Sequence, residues 1–428
     1  MKIVISHVYS SHNNGDAAIL SAQIGGLKEV FVNPDLHIFT IDKVRSDFTF
    51  EGVPVCNALM YGSVSSENGK LKKLVLAIVM MVYTASWAYL SRTGSILMPL
   101  PRGWREPIRL LVEADMQVCV GGGYLRGKKD LSSSIILLLL FHQIWLAHKL
   151  GKPVYLYAQS FGPYPTRIQR KIATMGLRCA DLILVREGQS KNLLAELGLA
   201  GERVIRVPDS AFAFNPNRIL VSQPTLLNGL SHEHTVGVTV RSWLPAPEQS
   251  AYELAMAQFL DAISEQYDLN VVVIPQVTSV EKDDDDRVVG RRIQNLIPDG
   301  SNIHFLDERF THHEIAAIYS NLHYLVGTRF HSVIFALSAG VPALAIEYEH
   351  KTSGIMKDLG LERWVLPIEA VTCDRLLSLF ELLIRESESY TKKLREIMPK
   401  YVESAREGSA LIADAFRRSQ HEPISEFA

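Results

Sequence analysis

Short apolar strands alternate with helical segments along most of this 428-residue chain. Residues 1–214 contain the strand-like runs KIVISHV, MQVCVGGG, KPVYLYAQS and ADLILVRE. A segment rich in Pro, Asn, Ser and His follows, and the alternation then resumes through TVGVTVR, LNVVVIPQ, NIHFLD, LHYLVGTR and VPALAIE. Strand–helix–strand order is typical of a mostly parallel sheet with helices on both faces. The sequence therefore predicts an α/β protein with two Rossmann-like domains.

The same pattern predicts the domain boundaries. The first Rossmann-like domain covers residues 1–214, and residues 215–235 form a linker. The second Rossmann-like domain covers residues 236–386, and residues 387–428 form a long charged helix and a tail. The length of the chain agrees with two domains of ordinary size.

Composition excludes several classes of protein. The net charge is −2, whereas nucleic-acid-binding domains are usually markedly basic. The four cysteines lie far apart and without paired spacing, so we expect neither a disulfide framework nor a zinc site. The first residues lack the apolar core of a signal peptide, and we expect a cytoplasmic protein.

An uncharged stretch, LVLAIVMMVYTASWAYLS at 74–91, is long enough to reach the lower limit for a membrane-spanning helix. It is compatible with a buried or groove-lining helix, an interfacial helix that dips into a bilayer, or a true span. Basic residues flank it: Lys70, Lys72, Lys73, Arg92, Arg102 and Arg105. A second apolar run, SSSIILLLLFHQIWLAHKLG, has helix-capping residues at both ends and is interpreted as a core helix.

Polar residues follow the strands of the first domain, where open parallel sheets bind ligands. The first corner reads NNGD, in which Asn14 or Asp16 could cap the following helix or could contact an anion or a sugar. Other polar or glycine-rich corners contain Gly121, Gly122 and Gly123, then Gln159 and Ser160, and then Arg186. The charge of Arg186 could meet an anionic ligand, or simply Glu187 or Asp209.

The second domain has three charged corners. Arg241 ends its first strand, and the run DDDD at 283–286 is interpreted as a solvated start of a helix, in preference to a magnesium site. The segment GTRFHS places Thr328, Arg329 and His331 between a strand and a helix. Arginine offers a planar fork for carboxylate or phosphate, and histidine can pass a proton near neutral pH. Glu349 and Lys351 follow the next strand.

These motifs resemble, in order, those of the polysaccharide pyruvyl transferase family. The likeness covers about residues 1–360, and its strongest element is GTRFHS followed by AGVP and YEHK. The full series is NNGDAAIL, GGGYL, YAQSFGP, VREGQS, PDSAF, GTRFHSVIFALSAGVPALAIEYEHK and SGIMKDLGL.

The resemblance implies two Rossmann-like domains that face one another across a cleft, as in the GT-B glycosyltransferases. It implies transfer of a pyruvyl group from phosphoenolpyruvate to two hydroxyls of a sugar, which gives a cyclic pyruvate ketal and phosphate. It implies no nucleotide or nicotinamide cofactor, and we predict no metal ligands. The acceptor is expected to be a lipid-linked oligosaccharide of bacterial exopolysaccharide synthesis, with the enzyme docked on the inner face of the cytoplasmic membrane through 74–91.

The resemblance also suggests roles for individual residues. We expect His331 to be the general acid, Arg329 to clamp phosphoenolpyruvate, and Asp16 to be the base. The donor side is predicted to comprise Arg329, Arg241, Arg186, Thr328, Ser332, Lys351 and Glu349. The acceptor side, expected in the first domain, is predicted to comprise Asn14, Gly122, Gly123, Gln159 and Ser160.

Two other functions are compatible with the sequence. A GT-B glycosyltransferase that uses a nucleotide sugar would have the same architecture, with arginine on the diphosphate. A non-catalytic protein that binds polysaccharide or anions could use the same fold without turnover, because a fold does not determine a function.

Overall fold

The structure is a computed structural model that describes residues 1–9, 12–41, 49–58, 69–92, 100, 102–215, 234–267, 269–278, 284–298 and 301–421. The strands are β1 (Lys2–Val8), β2 (Asp35–Thr40), β3 (Thr49–Phe50), β4 (Val53–Asn57), β5 (Met116–Cys119), β6 (Gly122–Leu125), β7 (Val154–Phe161), β8 (Leu182–Val185), β9 (Val204–Arg206), β10 (Thr235–Thr239), β11 (Asn270–Val273), β12 (Ile303–Phe305), β13 (Tyr324–Gly327), β14 (Ala343–Glu347) and β15 (Val365–Pro367).

The helices are α1 (Asn14–Val30), α2 (Lys70–Arg92), α3 (Arg102–Glu113), α4 (Leu131–Lys149), α5 (Arg167–Leu177), α6 (Gly188–Glu196), α7 (Ala246–Gln266), α8 (Asp286–Gln294), α9 (His312–Ser320), α10 (Phe330–Ser338), α11 (Lys351–Asp358), α12 (Cys373–Arg385) and α13 (Ser387–His421). Each strand expected from an apolar run is present, and the sequence analysis did not predict β2, β3, β4, β6, β9 or β15.

The first sheet has the strand order β3-β4-β2-β1-β5-β7-β8-β9, and β6 also pairs with β7. Its pairings are parallel except the one between β3 and β4. The central strands β5, β7 and β8 are buried along their whole length, as is usual for parallel sheets covered by helices on both faces. The corners after β1, β5, β7 and β8 therefore share one edge.

The second sheet has the order β12-β11-β10-β13-β14-β15, and its pairings are all parallel. β10 and β13 lie at its centre and are fully buried. The carboxyl ends of β10, β11, β13 and β14 meet at one edge, and the residues that follow these four strands build the candidate site.

The chain divides into two compact units. The first comprises Met1–Ser10, Ile19–Ser210 and Ser404–Ala428, and the second comprises Ser11–Ala18 and Ala211–Glu403. The division differs from the predicted one because the start of α1 belongs to the second unit and because α13 contributes to both. The predicted linker at 215–235 lies almost entirely outside the described residues.

In the part of the chain that the structure describes, two helices are long and apolar enough to cross a membrane by length and composition alone. In α4 the window Leu131–Lys149 is 56% buried and belongs to the core of the first unit, as the sequence predicted for a core helix. Asp130 caps α4 at its N-terminus, in place of the expected serine. In α2 the window Lys72–Leu90 is only 28% buried, so one face of this helix packs inward and the other is exposed.

Candidate active site

Arg329 lies in the interior of the second unit, directly after β13 and at the N-cap position of α10. Its Nε and Nη2 atoms donate to both carboxylate oxygens of Asp286, with a shortest distance of 2.6 Å, and Nη2 also donates to Asp284 at 2.8 Å. Burial alone would lower the pKa of the guanidinium, but Asp286 and Asp284 outweigh burial and raise it. Arg329 therefore stays cationic at every working pH.

Asp284 and Asp286, in the acidic run at 283–286, supply the counter-charge of this arginine, so the interpretation of the run as a solvated helix start was wrong for the buried Asp286. Asp286 is 2% exposed and also accepts from the backbone N–H groups of Gln276 and Val277. Asp285 caps α8 by accepting from the N–H of Arg287, and Asp284 is half-exposed. Asp286 is thus a buried ion-pair partner, Asp285 is a helix cap, and Asp284 is a partly exposed partner of Arg329.

A second cation stacks on aromatic rings beside this ion pair. The guanidinium carbon of Arg241 lies 4.2 Å from the ring centroid of Tyr348 and 4.6 Å from that of Trp243. One Nη atom of Arg241 is 3.6 Å from Asp284, which also binds Arg329. Stacking of this kind fixes the plane of a guanidinium, so that its N–H groups point in defined directions.

Lys351, at the start of α11, completes the cationic cluster. Its Nζ lies 5.1 Å from the ring centroid of Phe330 and 5.6 Å from that of Tyr348, and it pairs with Glu349 at 3.2 Å. Burial would raise the pKa of the Tyr348 phenol, but Lys351, Arg241 and Arg329 together lower it. The three cations therefore lie close enough to Tyr348 to favour its ionised form.

The N-terminal corner of α1 packs against this cluster within the same unit. The N–H of Asn14 donates to the carbonyl of Gln276 at 3.3 Å, and the N–H of Thr278 donates to that of His12 at 3.0 Å. A Cβ added to Gly15 would lie 2.0 Å from Nδ1 of His331, so only glycine allows this approach of α1 to the imidazole. The structure therefore brings the first corner of the chain next to the predicted general acid.

Asn13, rather than Asn14 or Asp16, caps α1. Its side-chain oxygen accepts from the N–H groups of Gly15 and Asp16, and its amide donates to the Asp16 carboxylate at 2.9 Å. The carboxylate of Asp16 is thereby oriented on the first turn of α1, next to the glycine that packs on His331.

The side-chain nitrogens Nδ2 of Asn14, Nε of Arg241 and Nε2 of Gln276 are buried and make no hydrogen bond within the described residues. The hydroxyl of Tyr319 donates to Oε1 of Gln276, so this hydrogen bond does not involve the amide nitrogen Nε2. Buried donors are nearly always satisfied in folded proteins, so a set of them beside two arginines indicates an oxygen-rich ligand.

The hydroxyls of Thr328 and Ser332 point into the protein, although both were expected on the donor side. Thr328 bonds to the Tyr252 hydroxyl at 2.9 Å, and Ser332 bonds to the Thr239 hydroxyl at 2.9 Å and to the carbonyl of Arg329. Both residues are fully buried. Their observed contacts hold the β13–α10 turn that presents Arg329 and His331.

The remaining predicted residues lie in the first unit, where the side chain of Arg186 is paired with groups of the protein itself. Its side chain is 1% exposed, forms an ion pair with Asp209, and donates through Nε to Ser160 at 2.6 Å. Ser160 in turn donates to Glu187 at 2.9 Å. A paired carboxylate offsets the free-energy cost of removing a charge from water, and Asp209 does so for Arg186.

The glycine-rich corner packs against the same network. Gly122 has a φ of 147°, a conformation that favours glycine, and a Cβ on Gly123 would lie 3.3 Å from the Arg186 guanidinium. Gln159 is buried and donates to the carbonyl of Val120 and to the hydroxyl of Tyr124. This corner is tightly ordered at the edge where β5, β6 and β7 end.

Sequence reasoning missed several residues of the site. Trp243 lies two residues after Arg241 and Tyr348 directly precedes Glu349, so the rule that ligands bind beyond strand ends could have found them. The acidic run in the sequence could have pointed to Asp286, but only the fold shows that this aspartate is buried. No local pattern showed that Gly15 contacts His331.

The two mostly parallel sheets place the protein in the α/β class with a GT-B-like architecture, and solved structures confirm this predicted fold class. The UDP-GlcNAc 2-epimerase of Neisseria meningitidis bound to UDP-GlcNAc has a TM-score of 0.60 and 13% identity, and the match covers 98% of this chain and 100% of that chain. Glycosyltransferase VinC in complex with dTDP has a TM-score of 0.54 and 14% identity, with 98% and 100% covered. Likeness at this level shows the fold alone.

The chain belongs to the polysaccharide pyruvyl transferase family, whose sequence model matches residues 13–350. The predicted resemblance is thereby confirmed. A curated relative, the amylovoran biosynthesis protein AmsJ of Erwinia amylovora, is 24% identical over 385 residues, which cover 87% of this chain and 89% of that protein.

Proposed function

We propose that the protein transfers a pyruvyl group from phosphoenolpyruvate to a sugar of an exopolysaccharide repeat unit, forming a cyclic pyruvate ketal and releasing phosphate. Membership of the pyruvyl transferase family supports the class of reaction, and the likeness to an amylovoran biosynthesis protein supports a polysaccharide acceptor. The choice of donor rests on the chemistry of the second unit.

The observation that carries the proposal is the concentration of cations and unsatisfied buried donors around His331. Phosphoenolpyruvate carries a carboxylate and a phosphate, and both need charged or N–H donors in a site with little water. Arg241 and Lys351 supply charge on aromatic surfaces, and Asn14 and Gln276 supply amide donors. The N-terminus of α10, where His331 lies, adds a positive helix dipole.

In the proposed reaction His331 donates a proton to the methylene carbon of phosphoenolpyruvate, and an oxocarbenium-like centre develops at C2. One sugar hydroxyl attacks C2, phosphate leaves, and the second hydroxyl closes the ring. The two hydroxyl protons balance the proton gained by the new methyl group and the proton carried by the released phosphate. Asp16, oriented by Asn13, is proposed as the base for a hydroxyl.

Arg329 acts in this scheme through its fixed position as well as its charge. Nε and Nη2 of Arg329 donate to the carboxylate of Asp286, which holds the guanidinium in place. Glu349 is proposed to position Lys351, with which it pairs. Thr328 and Ser332 are proposed to support the turn from the protein interior.

On the acceptor side, Gly122, Gly123, Gln159 and Ser160 remain proposed contacts, as does Asn14. Gly123 is only partly buried at this strand edge, where a sugar could be bound by main-chain donors and acceptors. Arg186 is paired with Asp209, and its role as a donor ligand stays a prediction.

We further propose that the acceptor is lipid-linked and that the protein docks on the inner face of the cytoplasmic membrane through the exposed face of α2. Val75, Ile78, Val79 and Val82 are about half-exposed or more, and their spacing places them along one stripe of the helix. Such a stripe next to lysines suits an interfacial helix better than a span, because the opposite face packs against α4.

The test is a comparison of melting temperatures with phosphoenolpyruvate and with UDP- and GDP-sugars. A ligand at 100 times its Kd stabilises the folded state by about 2.7 kcal/mol, so phosphoenolpyruvate should raise the midpoint. Arg241→Met should remove most of this effect, whereas His331→Asn should keep it and lose turnover. Stabilisation by a nucleotide sugar alone would instead support the glycosyltransferase alternative.

A further inference from the structure

A cavity of about 380 Å³ lies between α2, α4 and α5 of the first unit. Each helix contributes a stripe of residues at helical spacing: Met81, Val82 and Ala85 from α2, Leu138, Phe141, His142 and Trp145 from α4, and Ile172, Met175 and Gly176 from α5. Its volume falls in the range of about 300–1,000 Å³ that is typical of small-molecule sites.

The lining is almost wholly apolar. The imidazole of His142 bonds to the Thr84 hydroxyl at 2.8 Å and stacks on Trp145. Burial lowers the pKa of His142 to about 4, so this side chain is neutral at physiological pH. A Cβ on Gly176 would lie 2.3 Å from the Phe141 ring, so glycine lets α5 approach α4 at the floor of the cavity.

The surface around the cavity is both apolar and basic. Val79 and Val82 on α2 are 58% and 61% exposed, and Ile168 and Met175 on α5 are 70% and 60% exposed. The three helices contain no Asp or Glu, although the chain as a whole carries a net charge of −2. They do contain lysines and arginines: Lys70, Lys72, Lys73, Arg92, Lys149, Arg167, Arg170 and Lys171. Arg170 is paired with Glu196 of α6.

Resting on the proposed membrane contact, we infer that this cavity binds one hydrocarbon chain of an anionic membrane lipid, the isoprenoid chain of a lipid-linked phosphate acceptor. An apolar cavity between helices that expose aliphatic residues and carry basic but no acidic residues matches a molecule with a hydrocarbon chain and a phosphate head. A charge of one sign on three adjacent helices also attracts the anionic inner leaflet.

Farnesyl phosphate is the probe, titrated into the full-length protein by calorimetry at concentrations where it stays monomeric. Wild type binds it, and Ala85→Trp, which fills the cavity from α2, weakens binding by at least about tenfold. Ala85→Ser is the matched control and keeps the affinity. Inorganic phosphate gives no comparable heat, which separates chain binding from binding of the anion alone.

A second readout does not depend on folding of the filled variant. Trp145 lines the cavity, so farnesyl phosphate changes the tryptophan fluorescence of wild type, and the change disappears in Trp145→Phe. Equal affinity in wild type and a folded Ala85→Trp, or an unchanged Trp145 signal, overturns the inference. Stabilisation by phosphoenolpyruvate is measured in parallel, because its loss counts against the proposed reaction and leaves chain binding unaffected.

Discussion

Gly15 lies against the imidazole of His331, so closely that a Cβ at position 15 would be 2.0 Å from Nδ1. Gly15→Ala must therefore displace the ring of the proposed general acid. Misplacement of a catalytic group by about 1 Å can cost about a hundredfold in rate, so we expect kcat to fall by that order. Steady-state pyruvyl transfer measures the loss.

Gly188→Ala is the matched control, because nothing lies within 4 Å of a Cβ at that position near the start of α6. It should leave kcat within a factor of about two, as surface substitutions away from special features usually change little. Equal activity of Gly15→Ala and Gly188→Ala would contradict the placement of His331 at the reacting atoms.

Asp286→Asn should strongly destabilise the second unit. It leaves Arg329 buried without its principal carboxylate, and breaking a buried pair from one side costs about 3–5 kcal/mol. Asp284→Asn provides the comparison, because Asp284 is half-exposed and its loss should cost about 1 kcal/mol or less. Urea denaturation of both variants measures the difference, and equal costs would show that Asp286 does not carry the pair.

Tyr348 should titrate at a lower pH than ordinary tyrosines. Burial opposes ionisation, but Lys351, Arg241 and Arg329 stabilise the phenolate and lower the pKa. Phosphoenolpyruvate brings negative charge to the same cations, so its binding should raise the pKa of Tyr348. Tyrosinate absorbance, with Tyr348→Phe as the blank, follows both shifts. A titration unaffected by phosphoenolpyruvate would place the ligand elsewhere.

Replacement of Val79 and Val82 by serine should reduce sedimentation with anionic vesicles and change stability by only about 0.5 kcal/mol, because both side chains are exposed. The neighbouring Met80 is 3% exposed, so Met80→Ala should instead cost about 2–5 kcal/mol through loss of packing. Retained sedimentation of the double-serine variant would refute the proposed membrane contact of α2.

Acid should destabilise the first unit through His142, whose pKa falls to about 4 from an ordinary 6.5 because of burial. The unfolded chain binds a proton in this window and the folded chain does not, so stability is complete above pH 6.5 and falls towards pH 4. At pH 5 the loss from one such histidine is about 2 kcal/mol. His142→Gln should flatten the dependence of the urea midpoint on pH, and an unchanged slope would contradict this account.

The sequence by itself determined the architecture and the positions of its corners. The strands before Arg241 and Arg329 are buried on both faces, so each appears in the sequence as a continuous apolar run that can be recognised without knowledge of the fold. The long helix α13 and the core helix α4 were also predictable, because period and length distinguish them from strands. Strand-end logic selected Arg241, Arg329, His331 and Lys351 from the corners alone.

Only the tertiary structure decided which carboxylate pairs with each buried arginine. Arg186 and Arg329 follow similar strands, yet Asp209 pairs with the first arginine and Asp286 with the second from positions 23 and 43 residues away. It also placed Gly15 against His331, across more than 300 residues of chain. The pairing of distant groups depends on how helices and strands pack. The sequence pattern indicates which residues are buried, but it does not indicate which partner each buried charge has.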